Sequence, residues 1–183
     1  MSPFDKERKE VLDASLWLSE QGFFGSSRGS GGNASVRLNQ KAIAITPSGV
    51  RYQELQPEDI CIVAMDNSPI DVKAGLKPSI ETGMHNVIYQ NRPDVNAVVH
   101  THQIYGSVFA VLNMSIPALF DEISWALGQT IDVISYALSG SSELAANVGE
   151  KLSNNANAYI IQNHGILALG KTLDQAILHA ELL

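Results

Sequence analysis

The stretch Ala97-Val98-Val99-His100-Thr101-His102 joins a short apolar run to two histidines separated by one residue. The run reads as a buried strand. Side chains on a strand alternate between faces, so residues two apart point the same way. Two imidazoles therefore leave one face close together, a ready pair of metal ligands. A second apolar run, Ala158-Tyr159-Ile160-Ile161, leads into Gln162-Asn163-His164-Gly165 and supplies a third imidazole. A carboxylate, Glu81, stands in Lys77-Pro78-Ser79-Ile80-Glu81-Thr82. Three His and one Glu make a donor set for Zn²⁺ or another divalent ion, with a carboxylate that can also act as a base. A lone His at a strand end is ordinarily a hydrogen-bonded structural residue. Here three of the five His close apolar strands and two are locked in phase. His85 and His179 fall in helix-like stretches and read as structural, with His85 also a candidate to orient the site from behind, because metal-bound imidazoles need oriented partners.

Outward from these strands the chain alternates helix and strand without a linker or repeat. Ser2-Pro3 with Asp5 predicts the cap of a first helix that turns Val11, Leu12, Leu16 and Leu18 inward and stops at Gly22. A glycine-rich loop, Gly25 to Gly32, precedes a predicted hairpin, Ala34–Leu38 and Ala42–Thr46. Ile60–Met65 reads as a further strand before the turn Asp66-Asn67-Ser68-Pro69. Ser79 is expected to open a helix that carries Ile80, Met84, Val87 and Ile88 at helical spacing and runs to Asn91. Helices are also expected near Tyr105–Leu112 and from Ser141-Ser142 through Leu152, and strands at Ala158–Gln162 and Ile166–Leu169. Thr172-Leu173-Asp174-Gln175 predicts the capping box of a last helix that has no stop signal before Leu183, so further C-terminal residues are expected. Early hairpins beside later helix–strand alternation imply an α/β fold, a mixed sheet with helices on its faces.

Three loops offer donors to an anion. Gly31-Gly32-Asn33 lets backbone N–H groups approach closely, with Asn33 as a side-chain donor. Thr46-Pro47-Ser48-Gly49 presents a hydroxyl and a glycine N–H. Pro78-Ser79-Ile80 is read at a helix N-terminus, where orphan N–H groups and the helix dipole favour phosphate. Gly29-Ser30-Gly31-Gly32 follows a helix and precedes a strand, which is the wrong order for a dinucleotide fingerprint.

Composition sets the outer limits. The chain has 183 residues, 45% hydrophobic and 17% charged, which fits one globular domain, 1–183, with a substantial core. Net charge is −7 with no basic run, so no nucleic-acid partner is expected. No apolar stretch reaches the length of a membrane span. The charged start lacks a signal h-region, and Cys61 is the only cysteine, which favours a reducing, cytoplasmic setting.

Taken in order, Gly32-Asn33-Ala34-Ser35-Val36-Arg37, Ile45-Thr46-Pro47-Ser48-Gly49, Lys77-Pro78-Ser79-Ile80-Glu81-Thr82, Val98-Val99-His100-Thr101-His102 and Asn163-His164-Gly165 resemble the class II aldolase/adducin-head family. The resemblance implies a three-layer α/β/α fold around a mainly antiparallel central sheet. It implies a homotetramer with metal sites near subunit boundaries. By motif match it makes His100, His102 and His164 the Zn²⁺ ligands, Glu81 a fourth ligand or the catalytic base, and Asn33, Ser48, Gly49 and Ser79 the holders of a substrate phosphate. The activity implied is that of a metal-dependent lyase, an aldolase or decarboxylase, working on a small phosphorylated sugar or sugar acid through a metal-stabilised enediolate. A sugar-phosphate 4-epimerase and an adducin-like, non-catalytic interaction domain are the alternatives. Ile80 stands where the aldolase pattern carries a second serine.

Overall fold

The computed structural model describes residues 3–26 and 29–183. Its centre is an eight-stranded sheet that is antiparallel except at one pair. β1 (Asn33–Asn39) and β2 (Ala42–Ile45) form the predicted hairpin, and β2 pairs with β3 (Cys61–Ala64), which turns at Asp66–Ser68 into β4 (Pro69–Asp71). On its other side β1 pairs with β5 (Ala97–Thr101), and β5 pairs with β10 (Gly165–Gly170). β9 (Ala158–Ile161) follows, and the short β8 (Val133–Ile134) adds the parallel pair at the edge. β6 (Ile116–Pro117) and β7 (Thr130–Ile131) make a separate two-stranded ribbon.

Helices cover both faces, as the alternation along each strand requires. Val98, Leu167, Ile43, Ile45 and Val63 face α2 (Thr82–Asn91) and α5 (Ser142–Lys151) through Met84, Ile88, Leu144 and Val148. The intervening residues Ala97, Val99, Ala44 and Ile62 face α1 (Asp5–Glu20) and α6 (Leu173–Glu181). α3 (Ile104–Leu112) and α4 (Asp121–Leu127) pack on the same side, over Ile160 and Ile166. The result is a three-layer α/β/α domain with a mainly antiparallel sheet, as expected.

Several local expectations shift. The predicted cap at Ser2 lies outside the described residues, as do Ser27 and Arg28 of the glycine loop; α1 starts at Asp5 behind Phe4, which makes no side-chain cap. The helix expected from Ser79 begins at Thr82. Ser79 lies in the turn before it, where its Oγ accepts from the Glu81 N–H at 3.2 Å and Pro78 bridges to Pro47. Thr172 caps α6 by accepting from Gln175 N–H, while the Gln175 side chain accepts from Lys171 rather than from the cap residue, so the box is not reciprocal. β4, α4 and β6 to β8 are short elements that the hydrophobic pattern does not announce.

Candidate metal centre

His100 lies one residue before the end of β5 in phase with Val98, so its ring emerges on the α2 side of the sheet. His102 lies just past the strand and keeps that phase; the two Nε2 atoms are 3.0 Å apart. His164 comes from the turn between β9 and β10, which Asn163 makes by taking the left-handed conformation at φ 54°. The three rings form a tight triangle, with centroids 4.7, 4.8 and 5.4 Å apart. Gly165 makes room for them. A Cβ there would run into the Thr101 carbonyl and lie 2.8 Å from His102 Cδ2 and 3.1 Å from His100 Cε1. Gly32 has the same function on the other flank: its φ is +67°, and a Cβ would collide with the Phe24 ring and come 2.7 Å from the His100 carbonyl.

Glu81 occupies the N-cap position of α2 without capping it. Its carboxylate turns instead toward the rings, with Oε1 3.2 Å from His164 Nε2 and Oε2 3.3 Å from His100 Nε2. Asn33 Nδ2 donates to Oε2 at 2.7 Å and Ser139 Oγ donates to Oε1 at 2.9 Å. Burial alone would push this carboxyl up. The neighbouring His100 and His164 rings and the Asn33 amide outweigh it and hold Glu81 well below the usual carboxylate range.

The donor chemistry of this cluster fits a divalent cation. His100 Nδ1 lies 2.9 Å from the Ile166 carbonyl, which can only accept, so Nδ1 carries the ring proton and Nε2 is bare. Burial pushes the His100 pKa down, and burial together with repulsion from His100 and His164 takes His102 down to about 4. His100 and His102 are therefore neutral at neutral pH, the form that binds metal. The Nε2 atoms of His100, His102 and His164 and the Glu81 carboxylate are aimed at one point. Their separations of 3.0 to 3.3 Å match the edge of a tetrahedron with bonds of about 2.0–2.1 Å, which is about 3.4 Å. His100, His102 and His164 form a cluster able to hold a metal ion.

The cluster opens onto a polar cavity of about 240 Å³ that also touches Asn33, Ser48, Gly49 and Ser79. All the sequence-predicted site residues are thus brought to one place. Their groups are not equally available. The Asn33 amide is engaged at both ends, by Glu81 and by His85. Ser48 N–H is held by the Lys77 carbonyl, which leaves its hydroxyl. Ser79 Oγ accepts from Glu81 N–H and keeps its proton for the cavity. Gly49 is exposed at φ +73°. The separate expectation that His85 sits behind the metal ligands holds to this extent: it is fully buried and touches Asn33, not an imidazole. His179 bonds the Leu169 carbonyl and is structural.

Ser139 was not among the predicted residues. It sits before Gly140 and the α5 cap Ser141, in a Ser-Gly-Ser-Ser cluster that marks a helix start. Nothing local links it to Glu81, 58 positions away.

A three-imidazole, one-carboxylate centre at the end of a buried antiparallel strand, beside a hydroxyl-lined cavity, defines a metal-site protein of the class II aldolase type. Residues 9–183 match the Class II Aldolase and Adducin N-terminal domain, and the chain belongs to that family. It is 34% identical over 173 residues to an L-fuculose phosphate aldolase of Escherichia coli strain K12, covering 94% of this chain and 77% of that one. It is 39% identical over 155 residues to an L-fuculose phosphate aldolase of Methanococcus maripaludis, covering 85% and 81%. A 5-deoxy-D-ribulose 1-phosphate aldolase of Bacillus thuringiensis serovar kurstaki is 34% identical over 177 residues, covering 96% and 80%. Among solved structures, an L-fuculose 1-phosphate aldolase superposes with a TM-score of 0.86 at 31% identity, covering 99% of this chain and 82% of that one. A sugar-phosphate aldolase from Thermotoga maritima, at 22% identity and a TM-score of 0.79 over 99% and 91% of the two chains, shares the fold.

Proposed function

We propose that this chain is a Zn²⁺- or other divalent-metal-dependent aldolase that cleaves a small ketose 1-phosphate. The observation that carries the reading is the convergence, in one cavity, of His102, His164 and Glu81, with His100 buried behind them, and the loops of Ser48, Gly49 and Ser79. The names of the relatives above supply the substrate class.

Aldol cleavage of such a substrate breaks the C3–C4 bond. A proton leaves the C4 hydroxyl, C4 becomes an aldehyde, and the electron pair stays on C3 beside the C2 carbonyl until C3 is protonated. The divalent ion that His100, His102, His164 and Glu81 would hold supplies a Lewis acid for the negative charge on the sugar oxygens. Glu81 is the group that moves the proton: it is 5% exposed, ionised and aimed into the cavity. The Ser48 and Ser79 hydroxyls and the Gly49 backbone bind the phosphate, with Asn33 aligning Glu81 and the Asn33 loop closing the cavity wall. Charge-assisted hydrogen bonds of this kind are the strong ones. Together these contacts fix the sugar against the imidazole cluster, so that binding energy is used for orientation.

An exposed apolar face lies beside His102. α3 presents Ile104, Tyr105, Val108, Val111 and Leu112, and Leu119, Phe120 and Trp125, further along the chain, are also exposed. A face of this kind marks a protein–protein contact, and it supports a homotetramer with sites near subunit boundaries. The closed, reducing composition supports a cytoplasmic setting, and no helix among the described residues is long and apolar enough to cross a membrane.

The test is to incubate metal-loaded protein with L-fuculose 1-phosphate and 5-deoxy-D-ribulose 1-phosphate and to follow aldehyde release. His102→Ala should lose most of the metal and the activity while keeping the fold. Epimerised substrate with no aldehyde would assign the 4-epimerase reading. CO₂ from a 3-oxo sugar acid would assign a decarboxylase. A His102→Ala protein at full metal occupancy would remove the metal assignment.

A further inference from the structure

His85 is buried in the middle of α2, and its two ring nitrogens bond Asn33 and Ser35 rather than the imidazoles of the cluster. It nonetheless sits in an unbroken hydrogen-bonded chain that ends on Glu81. Asn33 Nδ2 is 2.7 Å from Glu81 Oε2; Asn33 Oδ1 is 2.5 Å from His85 Nε2; His85 Nδ1 is 2.7 Å from Ser35 Oγ; Ser35 Oγ is 2.7 Å from the Tyr89 hydroxyl. His85, Ser35 and Tyr89 are all essentially without solvent exposure.

The direction of the protons from Glu81 as far as Ser35 follows from the charged end of this chain. An ionised carboxylate only accepts, so the Asn33 atom that faces Glu81 must be the amide nitrogen. The Asn33 oxygen then faces His85 and also only accepts, so His85 Nε2 must carry the proton. Burial holds the His85 ring neutral, with its pKa pushed down to about 3, so Nδ1 is bare and Ser35 must donate to it. Ser35 Oγ then has the Tyr89 hydroxyl as its second neighbour, and that hydroxyl also lies 3.0 Å from the Ser35 carbonyl, which it can donate to. The reversed arrangement puts two acceptors against each other inside the protein, either at His85 and Asn33 or at Asn33 and Glu81. An unmade buried hydrogen bond of that kind is strongly disfavoured.

We propose that His85, held by Ser35 and Tyr89, is a positioning residue: by donating from Nε2 to the Asn33 carbonyl it holds the Asn33 amide in place from behind, and so steadies the Glu81 carboxylate that the Asn33 nitrogen grips. With Asn33 on Oε2 and Ser139 on Oε1, the carboxylate is gripped from both sides. Without the His85 donor the Asn33 carbonyl is left buried without its partner and the amide loses its anchor, which loosens the grip of Asn33 Nδ2 on Glu81 Oε2. The kinetic consequence rests on the aldolase reading above; the proton arrangement does not.

The decisive measurement is therefore made on the wild-type protein, without substrate. Nitrogen-15 NMR of histidine-labelled, zinc-loaded protein reads the tautomer of each ring, and the spectrum of His85→Gln assigns the His85 signal. A neutral ring protonated at Nε2 and bare at Nδ1 is expected at neutral pH. The opposite tautomer, or a cationic ring, overturns the proposal whatever the enzyme turns out to do. The second arm uses two variants. His85→Gln can place an amide N–H near the position of Nε2, whereas His85→Asn cannot reach it. His85→Asn is expected to lower kcat about 10- to 100-fold, the usual effect of losing a partner behind a metal site, with KM little changed, and His85→Gln to recover most of it. Equal losses in the two variants, tracking equal losses in Tm, would make His85 a packing residue only. Absence of aldolase activity in wild type would count against the aldolase reading and leave the tautomer result standing.

Discussion

Gly165→Ala tests the geometry of the metal centre through one methyl group. The added Cβ would meet the Thr101 carbonyl, His102 Cδ2 at 2.8 Å and His100 Cε1 at 3.1 Å. The Thr101 carbonyl belongs to the β5–β10 ladder, where Thr101 opposes Ile166, so it cannot swing aside as a flexible side chain would. The imidazoles must move instead. Overpacking of this kind costs about 1–3 kcal/mol. The lost glycine freedom in the unfolded chain returns about 0.4–1 kcal/mol. A net loss of about 1–2 kcal/mol lowers Tm by roughly 2–8 °C in a chain of this size. Metal affinity should fall further, by about 10- to 100-fold, because bond lengths at such sites tolerate only about 0.2 Å of error. Calorimetry on metal-free protein reads the first effect, and competition with a chelator reads the second. Gly83→Ala is the control: its Cβ would meet only Asn67 Nδ2 at 3.8 Å, in the first turn of α2, and it should be neutral or stabilising. Wild-type Tm together with wild-type zinc affinity in Gly165→Ala would refute the placement of the rings.

Glu81→Gln keeps the size of the side chain and removes its basicity; if Glu81 moves the proton, kcat should fall about 10²- to 10⁴-fold with metal largely retained, and loss of metal in parallel with activity would make it chiefly a ligand. Ser79→Ala should raise KM for a phosphorylated substrate roughly tenfold or more, since a hydrogen bond to a charged group is worth about 1.5–3 kcal/mol, and inorganic phosphate should compete with substrate; an unchanged KM removes Ser79 from the phosphate site. Metal-free protein should lose stability on acidification. His85 and His102 have folded pKa values pushed down by burial to about 3 and about 4, below an unfolded value of about 6.5. The unfolded chain therefore binds more protons than the folded one in this window, and the stability present above about pH 6.5 declines as pH falls toward those lower values. Urea midpoints that stay level or rise between pH 7 and pH 5 would contradict the burial of neutral imidazoles.

The parts of the molecule that could be read from sequence are those set by local period or by local chemistry. The two-residue phase of His100 and His102, the β1–β2 hairpin, the Ser141 cap and the strand–turn–strand around His164 each follow from residues within a few positions of one another. The start of α2 was misplaced for an equally local reason. Ser79 does act as a turn-forming acceptor, but for Glu81 N–H, so the helix opens three residues later and Ile80 is left in the turn. What could not be read is the engagement of side chains across the sheet. Asn33 was legible as a donor at the site, yet its partners lie 48 and 52 positions away and decide that its donor goes to Glu81.

That distinction has a chemical consequence. A metal centre needs donors, and donors are residue types that a sequence displays openly. A working base also needs a defined orientation, which depends on groups with no signature of their own: Ser139 in a loop, Ser35 in a strand, Tyr89 on the buried side of a helix. Each makes its contribution only through a hydrogen bond whose direction is set by the next group in the chain. Fixing Glu81 from both oxygens while three imidazole nitrogens face it places an ionised carboxylate and a group of candidate metal ligands in one buried site. Separately, each of these groups would be disfavoured by burial; together, around a cation, they satisfy one another. The orienting residues are therefore as much a part of the site as the ligands, and substitutions at them should alter turnover before they alter metal content.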